Sequence, residues 1–155
     1  MSSAPTSRPA RAHAVALLVV VLSLCAVAAR AQDEPKEPLF HEFKGVSIGM
    51  STQDARQKLG DPTEKSDAFD FYNVSEKQTV QVYYDAGKVS AISVMFTNAG
   101  ADALSPRTIF GADIEAKPDG SKYRMVRYAK AGYFVAYSRT AGNSPLVSVT
   151  IQRIK

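Results

Sequence analysis

Residues able to do chemistry are few in this chain, and their scarcity limits the reactions open to it. After His13 there is a single histidine, His41, next to Glu42. One imidazole cannot build a histidine-ligated metal cluster, nor a nucleophile-histidine-acid relay with a histidine to spare, so His41 reads as a solvated side chain. The only cysteine, Cys25, sits in an apolar run, so the remainder of the chain has no disulfide, thiol nucleophile or sulfur ligand. Asp67, Asp70 and Glu76 could converge on a calcium ion. They lack a glycine-turned loop of ligand spacing, however, and read as a wet strand edge. Asn73-Val74-Ser75 is a glycosylation sequon only in a eukaryotic cell, and glycine-rich phosphate loops are absent from the sequence. No cofactor, no metal and no catalytic role are expected. The chain offers aromatic and basic side chains of the kind found at binding hot spots: Tyr72, Tyr83 and Phe134, with Arg124.

The elements that position those residues lie after an N-terminal segment of a different character. Arg8, Arg11 and His13 form a polar start, Ala14 to Ala29 an apolar run, and Ala29-Arg30-Ala31 an A-x-A cleavage site. Residues 1–31 therefore read as an export signal, with the mature chain starting near Gln32. The apolar run of 16 residues is shorter than the roughly 17 to 25 of a spanning helix. Leu22-Ser23-Leu24-Cys25 begins like a lipobox but has Leu24 where a small residue is normal, so Cys25 reads as part of the signal and not as a lipid attachment site. The expected location is the periplasm or the exterior, with outer-membrane association as the alternative. Membrane contact requires a retained signal or a lipidated Cys25.

Removing the signal changes the charge balance. Without Arg8, Arg11 and Arg30 the chain has 16 basic and 15 acidic residues, so its basic isoelectric point does not imply nucleic acid. An asymmetry survives, with 7 basic against 11 acidic residues over 32–99 and 9 against 4 over 100–155.

Hydrophobic periodicity and turn residues outline the positioning elements. Residues 32–42, acidic and containing Pro35 and Pro38, read as a flexible tether. Ser51 caps a helix of about nine residues that Gly60 and Pro62 end, with Ala55 and Leu59 on its inner face and Gln53, Arg56, Gln57 and Lys58 in water. Strands are expected at Phe69 to Tyr72, Thr79 to Tyr84 and Lys88 to Thr97, with a hairpin loop at Asp85-Ala86-Gly87. Ser105-Pro106 opens a second helix that Phe110-Gly111 closes, and further strands are expected at Lys122 to Tyr128, Tyr133 to Ser138 and Leu146 to Ile154. Phe110-Gly111 answers Leu59-Gly60 at an offset of 51, which suggests a diverged duplication. The expected fold class is α+β, as two tandem repeats over 43–98 and 99–155, each a short helix packed on a three-stranded antiparallel β-meander.

Gly49-Met50-Ser51, Ala55, Leu59-Gly60-Asp61-Pro62 and Val80-Gln81-Val82-Tyr83-Tyr84-Asp85-Ala86-Gly87-Lys88-Val89 together resemble the small outer-membrane assembly lipoproteins of the SmpA/OmlA, or BamE, type. The repeated helix-plus-sheet unit is similar to the β-lactamase-inhibitor-protein fold. The resemblance implies a non-catalytic protein-binding module of the bacterial cell envelope, acting as an outer-membrane assembly or scaffold accessory. The alternative is a secreted inhibitor or ligand-binding protein using an open sheet face. In either case the expected partner is a protein, and the expected contact residues are Tyr83, Phe134, Tyr72 and Arg124.

Overall fold

A computed structural model describes residues 38–155; the expected export signal, Cys25 and most of the tether lie outside the described residues. The first element among the described residues is a small hairpin, β1 (Glu42–Phe43) and β2 (Val46–Ser47). It carries Phe43 and Val46 into the core. Helix α1 (Thr52–Leu59) follows, and the Ser51 hydroxyl accepts from the Asp54 N–H at its start. The Asp54 carboxylate accepts in turn from that hydroxyl at 2.7 Å, a capping arrangement closed through side chains.

The rest of the chain supplies β3 (Glu64–Lys65), β4 (Phe69–Ser75), β5 (Gln78–Asp85), β6 (Lys88–Phe96), helix α2 (Pro106–Phe110), β7 (Lys122–Tyr128), β8 (Tyr133–Arg139) and β9 (Val147–Arg153). Strands β3 to β9 form one seven-stranded sheet in the order β3-β4-β5-β6-β9-β8-β7. Every neighbouring pair in it is antiparallel.

This architecture overturns the expectation of two helix-on-meander repeats. The protein is mostly β, with two helices of 8 and 5 residues among the described residues. Its two halves share one sheet because β6 pairs with β9, setting Ile92 opposite Ile151, Val94 opposite Val149 and Phe96 opposite Val147. Two separate meanders would each end in an apolar strand with unpaired backbone groups. Joining them removes both edges and lets the two apolar faces close a single core. The Leu59-Gly60 and Phe110-Gly111 pairs that suggested a repeat are the C-terminal ends of the two helices.

All the large buried strand residues lie on one face: Tyr72, Val80, Val82, Tyr84, Ile92, Val94, Val135, Tyr137, Val149 and Ile151. Both helices and the β1-β2 hairpin cover that face, burying Ala55, Ile109, Phe43 and Val46 against it. Main-chain hydrogen bonds fix the start of α1 to the β5-β6 turn: Thr52 N–H donates to the Gly87 carbonyl at 3.0 Å, Gly49 N–H to Val89 at 2.8 Å, and Val89 N–H to Met50 at 2.8 Å. That turn is a two-residue loop with positive φ at both Ala86 (49°) and Gly87 (71°). This is the geometry that matches strand twist, and it is strained at the alanine.

Candidate functional site: the open sheet face

Pairing register assigns every strand side chain to a face, because opposite residues share a side and successive residues alternate. On the face away from the helices one row runs Phe69, Tyr83, Ala91, Gln152, Phe134, Arg127 across six strands. The next row runs Phe71, Gln81, Ser93, Thr150, Ala136, Met125. Large side chains stand on β4, β5 and β7 in both, and the small ones are Ala91 and Ser93 of β6, Thr150 of β9 and Ala136 of β8.

The result is a trough along the middle of the open face. A concavity of about 640 Å³ lies over its β5-β6-β9 side, lined among others by Tyr83, Ser90, Ser93, Thr150, Gln152 and Arg153. Its floor sets Ala91 among uncharged polar side chains, with the Ser93 and Thr150 hydroxyls 3.3 Å apart. Arg153 and Asp85 close one end as an ion pair. Tyr83 packs against Phe69 with its ring tilted by 41° and the centroids 6.1 Å apart, and its hydroxyl donates to Gln81 at 2.8 Å. These contacts hold the ring upright while leaving it 39% exposed. A fixed aromatic beside small hydroxyl-bearing residues suits a partner that inserts a side chain or loop and hydrogen-bonds along the floor.

The four expected contact residues do not lie together. Tyr83 and Phe134 are on the open face as anticipated, Tyr83 exposed and Phe134 half-buried. Tyr72 is on the covered face and buried, because it pairs with Val80 and not with a residue of the open rows. Arg124 is also on the covered side, opposite Tyr137, with its guanidinium 5.1 Å from the Phe110 ring of α2. It packs against that helix. The open-face residues of β7 are Tyr123 and Met125, 53% and 54% exposed, which sequence reading missed. Alternation alone could not have placed them, because both faces of β7 carry a cation, Lys122 and Arg124 on one and Arg127 on the other.

Beneath the covered face lies the one polar cluster found in the core among the described residues. Asp70, fully buried, accepts two hydrogen bonds of 2.8 Å from Arg56 of α1 and one of 2.6 Å from the Tyr84 hydroxyl. Arg56 also donates to the Ser66 carbonyl at 2.9 Å, so its guanidinium turns to the sheet, although its helix position suggested water, and the side chain stays only partly exposed. Burial works against the Asp70 charge, but hydrogen bonds from Arg56 and Tyr84 outweigh it and hold the carboxyl below the usual carboxylate range. Burial, reinforced by the Asp70 charge, pushes Tyr72 up to about 12 and raises Tyr84 further. The cluster positions: it ties α1 to β4 and β5, and so sets the backbone that carries Tyr83.

Asp70 is therefore not a wet strand edge, and it is turned away from Asp67 and Glu76, both exposed in the turns flanking β4. Among the described residues no three acidic, histidine or cysteine side chains gather as a metal site would require. His41 is exposed. No family model, curated protein or solved structure matches this chain, so the reading of the site rests on its own geometry.

Proposed function

We propose that the protein is an exported, non-catalytic protein-binding module of the bacterial cell envelope that engages its partner through the open face of the seven-stranded sheet. The supporting observation is the row that holds Tyr83 and Phe134 on the uncovered side while the apolar core fills the other. An aromatic that is held in place and left in solvent gains most from being covered by a partner. An outer-membrane assembly or scaffold accessory is the role in which such a face would dock on a membrane-protein complex. A secreted inhibitor would use the same trough against a soluble enzyme.

Affinity capture from an envelope extract with the full chain as bait separates these readings. Recovery of a membrane-protein complex in fixed stoichiometry supports the accessory role. A one-to-one complex with a soluble hydrolase supports inhibition, and recovery of nothing above background contradicts both. Intact mass of the exported product tests the localisation: a start near Gln32 without lipid is expected, and a diacylated Cys25 start would move the protein to a membrane.

A further inference from the structure

The two edges of the sheet are treated differently. On one side β3 is only two residues long, Glu64–Lys65, and beyond it the Thr63 and Ser66 N–H groups bond to β4. That edge is short and capped. On the other side β7 runs for seven residues, and among the described residues no main-chain hydrogen bond joins Lys122–Arg127 to anything except β8. Alternate N–H and C=O groups of an edge strand point away from its neighbour, so β7 presents a half-empty ladder.

The side chains of β7 specify what would fill it. Lys122 and Arg124 lie on its covered side, with Arg139 opposite Lys122 on β8, and Arg127 lies on the open side. None of these four has a carboxylate within ion-pair distance among the described residues. Asp113, which senses Lys122, is hydrogen-bonded to Arg107 at 2.7 Å. Tyr123 and Met125 project from the open side, and they are two of the four exposed large hydrophobic residues among the described residues. Charge alone would read as a device that keeps edges apart. Exposed aromatic and thioether groups on the same strand do not serve that purpose.

We propose that β7 is a docking edge for an extended acidic strand of a protein partner, added to the sheet by main-chain pairing. The partner segment alternates carboxylates, which meet Lys122 and Arg124, with apolar residues, which pack beside Tyr123 and Met125. Pairing provides the hydrogen bonds, and the alternation selects the segment. A second copy of this chain is a poor occupant, because two β7 edges would bring cation against cation. Neither the edge nor its charges depend on the role given to the trough.

The test is titration of the full chain with a capped seven-residue peptide alternating Glu and Val, and with its Lys and Val counterpart, read by site-resolved amide exchange. The acidic peptide is expected to slow alternate amides of β7 and to bind at least about tenfold more tightly than the basic one. The Lys122→Glu/Arg124→Glu variant should reverse that preference while the amides of β4 to β6 keep their protection, which shows that it remains folded. Equal binding of the two peptides would overturn the proposal, as would protection confined to the open face around Tyr83. Protection of β7 already present in the free chain, whether from its own N-terminal residues or from a concentration-dependent dimer, would overturn it too.

Discussion

The two faces of this sheet are built from the same strands and have opposite chemistry. The buried part of the covered face is apolar except at one point, where Asp70 takes hydrogen bonds from Arg56, Tyr84 and Tyr72. The open face is mixed throughout: aromatics on the outer strands, hydroxyls and amides between them, and charges at its ends. On the covered face a polar group needs complete partnering, because water cannot compensate a loss. On the open face water can, so its side chains are free to be chosen for contact with something else. The difference predicts that damage to the two faces will show in different measurements.

The largest effect is expected from the Arg56-Asp70 pair. Arg56→Met leaves a fully buried carboxylate without its cation and should cost about 3 to 5 kcal/mol in urea unfolding. Asp70→Ala should cost less, about 1.5 to 3 kcal/mol, because Arg56 retains access to solvent and can rehydrate. The reverse order would mean that the buried charge is better solvated than its surroundings imply.

The same cluster sets a pH window. Asp70 titrates lower in the folded chain than its ordinary value, so its contribution is complete above about pH 4 and is lost as pH falls through the folded value. Tyr72 titrates higher when folded, at about 12, so its contribution is complete below about pH 10 and is lost as pH rises toward that value. Urea midpoints should therefore be flat between these limits, and Asp70→Asn should remove the acid-side slope associated with this residue.

A smaller effect of opposite sign is expected at the β5-β6 turn. Ala86 has φ of 49°, a region that asparagine tolerates better. Ala86→Asn should raise stability by about 0.5 to 1 kcal/mol without touching either face. A lowered thermal midpoint would show that the alanine methyl has a packing role.

How much of this was legible in the sequence depends on whether the signal was local. The α1 boundaries follow from Ser51 and Gly60, and the β5-β6 hairpin from Ala86-Gly87, because caps and two-residue turns are chosen by adjacent residues. The pairing of β6 with β9 was not legible. It joins residues such as Phe96 and Val147 across the whole second half, and an alternating apolar strand does not name its partner. The face of Tyr72 was hidden because Phe69-Asp70-Phe71-Tyr72 is aromatic at three of four positions and so has no apolar alternation. Asp70, the polar member of that run, looked as though it belonged in water. Only the approach of Arg56 from α1 makes its burial tolerable, and a contact between a helix and a strand 14 residues on leaves no pattern in the sequence. Arg124 was misplaced for a simpler reason: its charge suggested the open surface, and β7 mixes charged with apolar or aromatic residues at both parities, so alternation does not name its covered face.

The division between the faces is tested most directly by partner capture with the Tyr83→Ala/Phe134→Ala double variant, at concentrations where its folded fraction equals that of the wild type. The expected result is a loss of capture of roughly tenfold or more per residue, with a urea midpoint close to that of the wild type. Undiminished capture accompanied by a large fall in the midpoint would contradict this division, because it would mean that these aromatics hold the sheet together and that the partner binds elsewhere.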